Sequence, residues 1–60
     1  MEELAKRMID YRAKERISQK ELASRVGVSV QTICSIENGL QEPSAVTVAK
    51  INLVIGEKEG

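Results

Sequence analysis

The chain has 60 residues, nine basic and nine acidic, with one cysteine, one tyrosine and no histidine. A chain this short makes one domain at most and buries only roughly 60% of the surface its unfolded form exposes, so no room remains for a separate catalytic domain. Without histidine the commonest general base and metal ligand at neutral pH is missing, and a lone Cys34 allows neither a disulfide nor a thiolate cluster; no enzyme, metal site or cofactor is expected.

The charge is unevenly spread. Between residues 4 and 56 there are eight basic residues against five acidic ones, and the acidic excess sits at the two ends. No apolar run is long enough to span a bilayer, and no leader or lipidation pattern is present, so no membrane and no small-molecule substrate are expected as partners. A reducing cytoplasm suits the single thiol.

From Glu2 to about Glu15, Leu4, Met8, Tyr11 and Arg12 recur at i, i+4, i+7 and i+8, which predicts an amphipathic first helix. A second helix begins where Ser18 stands three residues before Glu21, a capping box, with Ile17 and Leu22 in the two positions of a hydrophobic staple. Leu22, Ala23 and Val26 form its buried stripe, and Gly27 supplies the left-handed residue that ends it. Ser29 then caps a third helix running to Asn38 and stopped by Gly39, with Val28 and Ile33 again in staple positions. About three residues separate the second and third helices, a tight connection that makes them cross steeply as a helix-turn-helix. After a loop holding the only proline, Pro43, Ser44 caps a fourth helix to about Ile55, with Gly56 as its stop. Residues 1–56 are therefore expected to form one helix-turn-helix domain, and 57–60 a frayed tail. The expected class is all-α, a compact bundle of four short helices.

The third helix carries the chemistry. At 100° per residue, Ile33 and Ile36 define its buried direction, and Gln31, Ser35 and Asn38 lie nearly opposite, with Cys34 at the edge and Val30 at the exposed start. These outward groups are neutral. Glutamine carries a donor and an acceptor on one planar amide, which matches the N6 and N7 edge of adenine in the major groove. A valine methyl can meet the thymine methyl, and serine can hydrogen-bond to several bases. Charged side chains would bind phosphate anywhere, whereas such groups discriminate between bases, so Val30, Gln31 and Ser35 are the candidate base readers.

The chain resembles the lambda repressor and Cro-like helix-turn-helix family, the XRE type, over about residues 4–56. The resemblance rests on Arg12, "SQKELA" at Ser18–Ala23, "GVS" at Gly27–Ser29, "TI" at Thr32–Ile33, "IENG" at Ile36–Gly39, and Pro43. It implies a lambda repressor-like fold in which Ala23 is small because the second and third helices come closest there. It implies a structural ion pair between Arg12, late in the first helix, and Glu37, at the end of the third. It also implies phosphate contacts from Gln19, Thr32 and Asn38. Lys14, Arg16 and Lys20 add long-range attraction for a polyanion.

Two positions depart from the family. Where members often carry Lys or Arg just after the third helix, this chain reads Leu40, Gln41, Glu42, which removes phosphate anchors and sets a carboxylate near the expected backbone path. Asn52 stands where the family prefers alanine, a polar group in need of a partner.

Ala45, Val48, Ile51 and Ile55 match the family's core positions in the fourth helix. Val46, Ala49 and Leu53 form a second apolar stripe, with Val54 close by. Val46, Leu53 and Val54 are therefore candidates for a dimer seam, or for the seat of a fifth helix that the chain lacks. The resemblance thus implies a cytoplasmic, bacterial or phage-encoded and nucleoid-associated regulator. It would bind double-stranded DNA as a homodimer on a near-palindromic operator and act as a repressor. The alternative is a helix-turn-helix that serves as a protein-interaction module or antitoxin with little DNA binding of its own.

Overall fold

The structure is a computed structural model that describes residues 2–56; the tail expected at 57–60 lies outside the described residues. Four helices follow one another, α1 (Glu2–Glu15), α2 (Gln19–Val26), α3 (Val30–Glu37) and α4 (Ala45–Ile55), with no strand among the described residues. Helix α2 packs on α3, α1 crosses both α3 and α4, and α4 closes against α2. This is the all-α, lambda repressor-like bundle implied by the sequence.

Serine hydroxyls start three of the helices. Ser18, Ser29 and Ser44 each have extended backbone, and each Oγ accepts from the N–H three residues on, at 3.1, 3.1 and 3.2 Å respectively. The Glu21 carboxylate, however, faces Arg25 Nε at 3.4 Å rather than closing the box back onto Ser18. Ile17 and Val28 pack against the core as the outer halves of their staples.

The helix ends are also built locally. Gly27 takes the left-handed conformation (φ 89°), and the Val28 N–H reaches back to the Ala23 carbonyl at 3.0 Å, a Schellman closure. The last turn of α3 repeats it, with Leu40 N–H bonded to the Ser35 carbonyl at 2.9 Å. Helix α1 ends the same way without glycine. Arg16 adopts φ 58°, and Ile17 N–H bonds the Arg12 carbonyl at 3.0 Å.

Every helix contributes to one core of Leu4, Met8, Leu22, Ala23, Val26, Ile33, Ile36 and Ile51. Truncating such a fully enclosed isoleucine to alanine typically costs about 2–5 kcal/mol. Ala45 does not join the core and is exposed. It stands six residues before the buried Ile51, which at 100° per residue turns it about 120° away. Val54, three residues after Ile51 and about 60° from it, packs against the core instead of joining the outer stripe. Val46 and Leu53 point away, 65% and 87% exposed.

Asn52 has a partner that the sequence pattern did not identify. Its Oδ1 accepts from Arg7 Nη2 at 3.0 Å, and the same guanidinium nitrogen donates to the Gly56 carbonyl. Arg7 thereby places a cation on the C-terminal end of α4, where the helix dipole is negative, and ties that end to α1.

Candidate nucleic-acid interface

Helix α3 has two sides of opposite character because its residues alternate in kind at helical spacing. Ile33 and Ile36 are 0% and 2% exposed against the core. Gln31 lies on the outer side and is exposed, and Ser35 is half-buried. Among the described residues neither side chain has a hydrogen-bond partner. Val30 opens the helix at 46% exposure. Cys34 is half-buried.

The other polar groups of the segment have local bonds. Thr32 Oγ1 lies 3.0 Å from Ser29 Oγ, and its backbone N–H is capped by the same oxygen. Asn38 is exposed and its Nδ2 donates to Cys34 Sγ at 3.3 Å. Both sit at the ends of α3. Gln19, at the first position of α2, is half-buried and its Nε2 donates to Glu37 Oε1 at 3.0 Å.

Glu37 is the only charged residue of α3, and it turns inward. Arg12 grips it with two parallel bonds, Nε to Oε2 and Nη2 to Oε1, both 2.8 Å, while Nη1 reaches the Ile17 carbonyl at 3.4 Å. The Glu37 side chain keeps 4% of its exposure and that of Arg12 23%. Burial pushes the Glu37 carboxyl up, but the hydrogen bonds from Arg12 and Gln19, with the Arg12 charge, outweigh it and hold the group below the usual glutamate range. The hydrogen bond to Glu37 raises the Arg12 guanidinium in turn, against the effect of burial. A carboxylate at a helix C-terminus opposes the helix dipole, so this one depends on its cation. The fork joins three elements: α1, the turn before α2, and the end of α3.

A second cluster lies on the other flank of α2. Arg25 donates to Tyr11 Oη at 3.0 Å and sits 3.5 Å from Glu15 and 3.4 Å from Glu21. It holds two of the acids of this segment, Glu15 and Glu21, on that side. Lys20 and Arg16 are exposed, and neither makes an ion pair among the described residues. A shallow groove of about 970 Å³ runs between α1 and the loop after α3, lined by Ala5, Ile9, Leu40 and Glu42 among others. Leu40 is 78% exposed there.

The sequence marks Arg12, Glu37 and Gln19, but nothing in it shows the contact between Gln19 and Glu37. The two lie eighteen residues apart, and no periodicity joins the start of one helix to the end of the next. Among the described residues no helix is long and apolar enough to cross a membrane, and no group of acidic or thiol side chains is arranged to hold a metal ion.

Comparison with known proteins agrees with this architecture. A helix-turn-helix family model matches residues 8–59. An uncharacterised HTH-type transcriptional regulator of Methanocaldococcus jannaschii is 44% identical over 48 residues, covering 80% of this chain and 73% of that protein. One from Archaeoglobus fulgidus is 42% identical over 52 residues, covering 87% and 73%. Another, from Methanothermobacter thermautotrophicus, is 37% identical over 49 residues, covering 82% and 71%. No solved structure matches the chain significantly. With the match spanning most of its length, the chain belongs to the helix-turn-helix family of the lambda repressor and Cro type.

Proposed function

We propose that the chain is a sequence-specific, DNA-binding transcriptional regulator that lays α3 in the major groove and acts as a repressor by occupying its site. The observation that carries this reading is the contrast across α3. One side is locked to the core by Ile33 and Ile36, while the side chains of Gln31 and Ser35 on the other have no hydrogen-bond partner among the described residues. Val30, Gln31 and Ser35 read base edges, the amide by a bidentate contact to adenine. Gln19, Thr32 and Asn38 hold the flanking phosphates and fix the register. The relatives described as HTH-type transcriptional regulators support the same class of function.

Val46 and Leu53 form the seam of a homodimer, the occupant of that stripe being a second copy of the chain. A two-fold pair then sets two α3 helices about 34 Å apart, one turn of duplex, and reads a near-palindromic site in the cytoplasm. Selecting bound duplexes from a random pool tests the whole reading. Two inverted half-sites about ten base pairs apart are the expected result, with affinity falling as salt rises by a log-log slope of about −0.9 per phosphate neutralised.

The exposed stripe of α4 and the zero net charge favour a second reading, a helix-turn-helix that binds a protein, as an antitoxin does. An unenriched pool together with a flat salt response decides for it.

A further inference from the structure

Gln19 is the first residue of α2 and Glu37 the last of α3, and their side chains meet at 3.0 Å. The oxygen that accepts from Gln19 Nε2 also accepts from Arg12 Nη2 at 2.8 Å. An ionised carboxylate only accepts hydrogen bonds, so the amide must turn its nitrogen, not its oxygen, toward Glu37. A primary amide nitrogen carries two hydrogens held in one plane. With one spent on Glu37, the other is directed away from it.

That second hydrogen emerges at the first turn of α2. The backbone N–H groups of Gln19 and Lys20 have no helical acceptor there, because Ser18 Oγ caps only Glu21. Lys20 is exposed beside them. The Gln19 amide N–H, these two backbone N–H groups and the Lys20 ammonium are then all donors, while the one carboxylate of the same turn, Glu21, is paired with Arg25; such a set of donors suits a phosphate oxygen. Were the amide reversed, its carbonyl oxygen would face the phosphate and repel it.

We infer that Glu37 is a positioning residue for DNA binding: its hydrogen bond sets the polarity of the Gln19 amide so that an N–H, not the oxygen, meets the DNA backbone. The inference rests on the DNA-binding reading above. It gives Glu37 a task besides the ion pair with Arg12. The carboxylate that ends the reading helix is bonded to the residue that grips the phosphate, so the angle of α3 and the backbone register are set by one group.

The test uses the whole chain and a duplex that it selects itself, with the Gln19 side-chain amide observed by nitrogen-15 NMR. On saturation with duplex, one of the two Gln19 amide protons is expected to shift and the other, facing Glu37, to stay. In binding assays Gln19→Ala should weaken affinity about fivefold, alike on selected and unrelated duplexes. The salt slope should not change, because no cation is lost. In a Glu37→Gln background, where the amide polarity is no longer fixed, the same Gln19→Ala step should weaken binding less than twofold. If Glu37→Gln fails to fold, the proton pair in the parent chain still decides. A parent that binds duplex with both Gln19 protons unmoved, or a Gln19→Ala chain that binds as tightly as the parent, overturns the inference alone. A parent whose spectrum ignores every duplex overturns the DNA-binding reading and this inference with it.

Discussion

Helices α3 and α4 each bury isoleucine on one side and present a second face outward, but the outer faces differ in kind. That of α3 is built of amide and hydroxyl groups, and its one carboxylate is turned inward onto Arg12. That of α4 carries Val46 and Leu53, 65% and 87% exposed. A polar face held at a fixed angle suits a partner that is itself polar and must be told from near copies of itself. An apolar face has no such discrimination and gains only by being covered. Under the proposed function the polar surface would serve recognition and the apolar one association.

The contrast between the inner and outer sides of these helices gives the largest expected effect. Ile33→Ala should cost about 2–5 kcal/mol, because Ile33 is fully enclosed and the surrounding helices can collapse only partly. In a domain of this size such a loss leaves the chain largely unfolded at moderate temperature. Leu53→Ala, made in the most exposed apolar residue of α4, should shift the stability of the dilute protein by no more than about 0.5 kcal/mol. Thermal melts followed by circular dichroism compare the two directly. Equal losses would mean that the outer stripe is part of the fold and not a surface.

The fork between Arg12 and Glu37 comes next. Arg12→Ala strands a carboxylate with 4% exposure at the negative end of a helix. Breaking a fully buried pair costs about 3–5 kcal/mol; because Arg12 keeps some access to water, about 2–3 is expected here. The pH dependence has a definite sign. Glu37 titrates below the usual glutamate range in the folded chain, so its contribution is fully present above its unfolded value of about 4.3 and is lost as pH falls through the lower folded one. Glu37→Gln should flatten that acid limb. Acid melts of the two chains that superimpose would show that the carboxylate contributes nothing.

What could be read from the sequence was local, and what could not was mostly long-range. Ser18, Ser29 and Ser44 announce three helices because a hydroxyl three residues before an N–H is a short-range signal. The glycines at 27 and 39 announce two ends for a similar reason, and Leu22, Ile33 and Ile51 fall on buried stripes by periodicity alone. Arg7 and Asn52 are 45 residues apart, and nothing in either neighbourhood says that they meet. Gln19 is similar: the family resemblance implies a phosphate contact for it, while its bond to Glu37 depends on how α2 and α3 cross. Ala45 stands at a core position of the family pattern, yet its helical angle from Ile51 points it outward.

A smaller effect separates folding from reading. Gln31 makes no bond within the described residues, so Gln31→Ala should leave the melt unchanged within about 0.5 kcal/mol. On the selected duplex it should lose about 1–3 kcal/mol of discrimination at one base pair. Binding titrations on the selected site and on its single-base variants measure this. A uniform loss on all duplexes would make Gln31 a backbone contact instead of a reader.

The smallest effect concerns the one helix end that no glycine marks. Arg16 closes α1 at φ 58°, a conformation that costs an L-residue roughly 1–2 kcal/mol because Cβ crowds the following carbonyl. Glycine avoids that crowding but gives up about 0.5–1 kcal/mol to the greater freedom of the unfolded chain. The balance for Arg16→Gly is a gain of about 0.5 kcal/mol, or a melting point roughly 2–4 °C higher for a domain of this size. Arg16 is also an exposed cation that makes no ion pair among the described residues, three and four positions before Gln19 and Lys20 in the chain. The same substitution should therefore lower affinity for any duplex and reduce the salt slope by about one phosphate. A chain that melts higher yet binds DNA less would show that the left-handed arginine is kept for its charge at the expense of stability. A higher melt with unchanged binding would leave it a strained turn and nothing more.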